Sequence, residues 1–213
     1  MHRLQRGRAP ACLDNYRHGQ HRWNNLSAAE KQEIWQALDA MQQERCAYCE
    51  APLYNNRKHI EHFRQRALYP QGTFEWSNLF GSCNRSDSCG KHKDRCGPYN
   101  HRNLIKPDEE NPDDYFVFVS DGTIAARSTL SDHARGRANQ TLRIFNLDAR
   151  HGALRQRRRQ AAAGYLQTAQ ELQEVAEAFD ESEWRPFLEQ ELEAIQDEPF
   201  VTVIRHALLG SQP

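Results

Sequence analysis

Within CAYCEAPLYNNRKHIEH, residues 46–62, two cysteines, two histidines and two glutamates fall in seventeen positions. Cys46 and Cys49 form a Cys-x-x-Cys pair, which places two thiolates on one tight turn and suits either half of a tetrahedral zinc site or thiol redox chemistry. Downstream, SCNRSDSCGKHKDRC supplies Cys83, Cys89 and Cys96 as candidates for the two missing ligands. The chain lacks the βαβ periodicity of a thioredoxin-like protein, so structural zinc is the preferred reading of the cysteines.

A zinc knuckle needs nothing more, yet His59, Glu61, His62, Asn78 and His92 lie between and beside the cysteines. These are the types that phosphodiester cleavage uses. A neutral imidazole takes a proton from water, a carboxylate and a second imidazole hold a divalent cation, and an amide fixes a loop or orients the base. Side chains alternate along a strand, so His59 and Glu61 share one face while His62 points to the other or leaves the strand end.

Several elements must position these groups. SAAE at 27–30 is a capping box, and Ile34, Trp35, Leu38 and Met41 recur at helical spacing, which predicts a helix to about Gln43 that delivers the chain to Cys46. Lys58 to His62 reads as a short strand, followed by a loop with Pro70 and Gly72 and a second extended piece around NLFGS. YFVFVSDGTIA is a hairpin turning at Asp121-Gly122. The remainder reads as helical: an apolar stripe runs from Tyr165 to Phe179, and two shorter helices are expected after Pro186 and Pro199. RQRRR at 155–159 reads as an exposed helix face.

The composition is polar, 38% hydrophobic and 27% charged, with a mean hydropathy of -0.92. No apolar run approaches the length of about 20 residues that a bilayer requires, and the basic start has no apolar segment after it, so the expected location is the cytoplasm. In that reducing compartment six cysteines fit metal or catalysis better than disulfides. The net charge of -1 hides an asymmetry: residues 55–106 hold ten Lys/Arg against four Asp/Glu, whereas 165–200 hold one Arg against eleven Asp/Glu. The middle attracts polyanions; the C-terminal part repels them. Arg57, Lys58, Arg64, Arg66, Arg85, Lys91, Lys93 and Arg95 surround the histidines and are candidate contacts to backbone phosphates.

The order Cys-x-x-Cys, Glu-His, Asn, Cys, Cys, His resembles the zinc-knuckled HNH, or ββα-metal, nucleases. Across most of the chain, CAYCE, HIEHFRQR, WSNLFGSC, NPDDYFVFVSDG and RIFNLDARHGALRQRRR resemble the HNH nucleases encoded with retrons and Septu-type antiphage systems. That resemblance implies an α+β fold, with a small ββα-metal core at 44–110 after a basic arm and helix at 1–43, and a hairpin plus a largely helical region at 111–213. It makes His62 the general base, Glu61 and His92 ligands of a catalytic divalent cation such as Mg²⁺, and Asn78 the residue that positions the His62 loop. Cys46, Cys49, Cys83 and Cys89 become the structural zinc set. Five residues separate Cys83 from Cys89, so Cys96 stays open as the fourth zinc ligand, and Asp87 and Asn84 compete with His92. The implied activity is metal-dependent cleavage of DNA or of structured RNA such as tRNA. The implied partners are an ATPase of the ABC/SMC type and, in retrons, a reverse transcriptase with its RNA–DNA product. The base is expected to lose activity near pH 6.5, the ordinary histidine range. The rival class is a non-catalytic zinc module tethering an effector, for which Cys46 is indispensable and His62 is not. A redox protein would instead oxidise Cys46 and Cys49 reversibly.

Overall fold

The computed structural model describes residues 1–54, 57–150 and 152–210. It is a mixed α+β protein, with seven α-helices and two two-stranded antiparallel sheets among the described residues. Two compact units divide it: Met1–Pro112 with Ile144–Asn146, and Asp113–Arg143 with Leu147–Pro213.

In the first unit α1 spans Ala28–Gln42, and its start is the expected capping box: Ser27 Oγ accepts from the Glu30 amide while the Glu30 carboxylate accepts from the Ser27 amide. Gln43, in the left-handed region, ends it. The buried face presents Ile34 and Leu38, as the spacing predicts, and also Gln42, which the spacing does not. The Gln42 amide donates to Gly81 O at 2.9 Å and accepts from Gly81 N at 2.7 Å, so a polar side chain binds the helix end to a strand backbone. Strands β1 (Lys58–His62) and β2 (Leu79–Cys83) pair antiparallel, Glu61 opposite Phe80 and His59 opposite Ser82. Helix α2 (Cys89–Lys93) follows, giving the order β, β, α. Phe63, Phe80, Tyr48 and Phe145 form the aromatic centre, with Tyr48 stacked on Phe145 at 4.1 Å.

The second unit opens with the expected hairpin, β3 (Phe116–Phe118) against β4 (Ile124–Ala126). Helices α3 (Asp132–Phe145, whose last two residues belong to the first unit), α4 (Ala153–Ala163), α5 (Leu166–Ala178), α6 (Glu181–Ala194) and α7 (Val201–Leu208) follow. Two details differ from the sequence reading. Helix α6 begins before Pro186, because the Asp180–Glu183 capping box starts it upstream and the proline is carried inside. Arg158, read as part of an exposed basic face, is buried; it donates to the carbonyls of Gly122 and Leu147 and thereby ties α4 to the hairpin turn. Among the described residues no helix is long and apolar enough to cross a membrane.

Candidate metal centre and catalytic cluster

Each cysteine reaches the centre by a different local device. Cys46 and Cys49 sit on a turn closed by the Glu50 amide donating to Cys46 O at 2.9 Å, with Glu50 left-handed at φ 63°. The Ala47 amide then pins the turn to Gly81 O on β2. Cys83 is the last residue of β2. The segment 84–88 loops out around an Arg85–Asp87 ion pair, and Cys89 returns in the left-handed region at φ 57°. A non-glycine residue held there costs on the order of 1 kcal/mol, and persists because surrounding contacts fix it.

The ligand atoms of Cys46, Cys49, Cys83 and Cys89 all lie within 4.8 Å of one another, and all four residues are buried. Cys49 Sγ and Cys83 Sγ are 3.9 Å apart. A tetrahedral zinc with Zn–S bonds of about 2.3 Å sets its sulfurs about 3.8 Å apart, so the set fits a structural zinc. Burial opposes charge on the Cys46 thiol, yet hydrogen bonds from Cys49, Cys83 and Cys89 hold it well below the usual thiol range. Cys96 is not in this group; its sulfur lies 3.3 Å from His92 Nδ1 and 3.5 Å from Ile144 O. The long spacing after Cys83 is thus absorbed by the loop and the left-handed Cys89.

The catalytic candidates fall on the β1–β2–α2 unit. His62, at the end of β1, is 7% exposed and its Nε2 donates to Thr73 O at 3.0 Å. The carbonyl can only accept, so neutral His62 carries its proton on Nε2 and leaves the Nδ1 lone pair available. Trp23 meets the ring edge-on, with centroids 4.5 Å apart. Burial lowers the His62 pKa to about 4, and the Arg66 charge adds to the effect. Asn78, at the entry to β2, binds both ends of the loop that follows His62: its Oδ1 accepts from the Arg64 amide at 2.7 Å, and its Nδ2 donates to Gly72 O at 2.9 Å and Arg64 O at 3.3 Å.

Glu61 faces the opposite way from His62 and is only 2% exposed. Its Oε1 is 2.6 Å from Lys93 Nζ, and Oε2 meets His59 Nε2 at 3.1 Å. Lys93, on α2, is fully buried and also donates to His62 O at 2.9 Å and Asp94 Oδ1 at 2.8 Å. Gly90 makes the close packing feasible, because a Cβ there would lie 2.3 Å from Glu61 Oε2. His92 Nδ1 donates to Ile144 O at 2.9 Å. Asp87 pairs with Arg85, and Asn84 donates to Lys58 O. The four cysteines are the only metal-ligating cluster of three or more such side chains among the described residues.

The eight basic candidates divide by exposure. Arg57, Arg66, Lys91 and Arg95 are exposed. Lys58, Arg64 and Arg85 are half-buried and paired with Asp39, Glu75 and Asp87. Lys93 is shut in, away from any phosphate in this arrangement. Its importance had no local signal, since nothing in the sequence pairs position 93 with 61. Lys93→Met strands a buried carboxylate and is expected to destabilise the chain by about 3–5 kcal/mol. Urea denaturation of Lys93→Met and of Lys93→Met/Glu61→Gln checks this: the second change should restore much of the loss, and equal stability of wild type and Lys93→Met would refute the pairing.

The fold and site together define an α+β protein in which a buried four-cysteine cluster, able to hold a metal such as zinc, frames a ββα unit with a buried histidine and a loop-binding asparagine. No protein-family model matches the chain. Over 95 residues, 43% of its length, it is 32% identical to the Septu protein PtuB of Bacillus thuringiensis, and the aligned part spans 35% of that protein.

Proposed function

We propose that the chain is an HNH-type endonuclease, the nucleic-acid-cleaving effector of a Septu-like antiphage system that works beside an ATPase of the ABC/SMC type. The observation that carries this reading is the asparagine clamp: Asn78 binds both ends of the loop after His62, and Thr73 within the adjoining segment fixes the ring with Nδ1 free. A histidine serving only to pack would need neither device. The limited similarity to a Septu protein supports the defence setting.

In this reading His62 Nδ1 takes the proton from a water aimed at the phosphorus, and Asn78 holds the loop in register. Glu61 and His92 are the residues the family resemblance assigns to a divalent cation such as Mg²⁺, which would stabilise negative charge on the phosphoryl oxygens. As arranged, Lys93 and His59 occupy the Glu61 carboxylate, which does not fit a resident ion there, whereas His92, with its Nδ1 proton on Ile144 O, keeps the Nε2 lone pair that a metal ligand uses. The deciding assay incubates the protein with plasmid, single-stranded DNA and tRNA, with and without the ATPase, in Mg²⁺ or in chelator. Cutting of any substrate supports the nuclease reading; silence throughout, with the partner and its trigger present, supports the zinc adaptor.

In this reading the exposed cations Arg57, Arg66, Lys91 and Arg95 make the phosphate contacts. Four such contacts to a duplex give a slope near -4 in log affinity against log salt, from about -0.9 per neutralised phosphate. A salt titration by fluorescence anisotropy should show that slope falling by about one unit for each of the four replaced by alanine. A slope unmoved by all four replacements would place the binding face elsewhere.

A further inference from the structure

Helices α5 and α6, of 13 and 14 residues, contain no buried residue. Their fully buried support is Ile195, Ile204 and Leu208, against which Ala169, Leu172, Leu188 and Leu192 are only partly covered. Helices of this length ordinarily bury one apolar face. Here that face is left as a groove with a cavity of about 700 Å³, floored by Leu166, Ala169, Leu172 and Ala176 of α5 and by Trp184 and Leu188 of α6, with the end of α7 behind. Leu166 to Ala176 covers about 15 Å of helix, close to three turns. Ala169 and Ala176 keep the floor low.

The rim is acidic. Gln170 and Gln173, in the groove wall, donate to Glu174 at 2.9 Å and Glu177 at 3.0 Å, so these carboxylates stand beside the opening. Across 165–200 the one arginine, Arg185, is already paired with Glu181. An apolar floor of helical length inside an acidic rim matches one occupant by shape and charge. A second copy of the same face would bring its own Glu174 and Glu177, from an equally acidic segment, against the first, and a small apolar ligand would leave the rim unused.

We propose that this groove seats a basic amphipathic helix of a partner polypeptide, apolar side chains inward and Lys/Arg along its flanks. The assignment stands whether or not the chain cuts nucleic acid. It gives the acidic C-terminal part a purpose that its charge alone does not.

The test uses the full chain and three dye-labelled synthetic peptides of about 18 residues, five helical turns: a leucine/lysine amphipathic helix, its leucine/glutamate counterpart, and a leucine/lysine isomer with leucines scattered around the helix. Anisotropy should show the first binding at least about tenfold more tightly than either control, with affinity falling as salt rises. Ala169→Arg, which puts a charge on the floor, should abolish binding. The exposed pair Glu174→Lys/Glu177→Lys should weaken it about tenfold while leaving helix content unchanged, which keeps the test valid if Ala169→Arg disturbs folding. Equal binding of the acidic or scattered peptide, or indifference to the charge reversal, overturns the proposal. So does a dimer in sedimentation that Ala169→Arg dissociates, because the occupant is then a second copy.

Discussion

Replacing Cys83 by serine is expected to abolish stoichiometric zinc and leave the first unit without a cooperative unfolding transition. Cys46, Cys49, Cys83 and Cys89 join three places otherwise linked by only a few hydrogen bonds, such as those of Gln42 and Ala47 to Gly81 and of the Gly90 amide to Ser82 Oγ: the turn after α1, the end of β2 and the start of α2. Structural zinc sites in small domains bind with apparent free energies of about 10–16 kcal/mol, as large as the whole stability of a typical domain at about 5–15 kcal/mol. This unit also owns an apolar centre around Ile34, Leu38, Phe63 and Phe80, so some helix persists when the metal is removed. What goes is the fixed arrangement of β1, β2 and α2, and with it the left-handed Cys89. Zinc analysis together with near-ultraviolet circular dichroism reads both effects. Cys96→Ser serves as the control, since its sulfur lies with His92 and Ile144 O instead of in the cluster. Full zinc and an intact near-ultraviolet signal in Cys83→Ser would remove the metal from the account of the fold. Acid should release the metal too, because protons compete for the thiolates.

What the sequence makes legible follows from the range of the interactions. Local signals succeeded: the Ser27–Glu30 box started α1 where it stands, the alternation in KHIEH placed His59 and Glu61 on one face, and Asp121-Gly122 turned the hairpin. The choice of Cys89 over Cys96 was open because it depends on one backbone conformation, φ 57° at Cys89, which residue spacing does not encode. Contacts between segments distant in sequence were invisible. Gln42 looks like a polar helix end until Gly81 arrives opposite it, Arg158 looks like surface charge until the hairpin turn offers two carbonyls, and Lys93 looks like a phosphate contact until α2 packs on Glu61. In each case a long or amphipathic side chain found backbone or charge supplied by another element. The α6 start differs for another reason: proline favours the first turn of a helix, but a complete capping box lies just upstream of it.

On the nuclease reading, His62→Ala is expected to lower cleavage by about 10²- to 10⁴-fold, the usual contribution of a general base, with zinc content unchanged. The pH dependence discriminates more sharply than the loss itself. An ordinary histidine would switch off near pH 6.5, but burial and the nearby Arg66 charge lower His62 to about 4. The neutral, active form therefore persists in the free protein well below pH 6, and kcat/KM should stay level until the pH approaches about 4. A bound phosphodiester brings negative charge beside the ring and favours imidazolium, so the corresponding fall in kcat should lie at higher pH. The same shift fixes a stability slope. Between about pH 6.5 and 4 the unfolded chain takes up a proton at His62 that the folded chain refuses, so acid costs stability across that window, by roughly 3 kcal/mol in all. Urea denaturation at pH 7 and pH 4.5 should show His62→Ala losing less stability on acidification than wild type. If the two proteins acidify alike and cut alike, His62 is neither the buried neutral imidazole nor the base, and the asparagine clamp around its loop is a packing device alone.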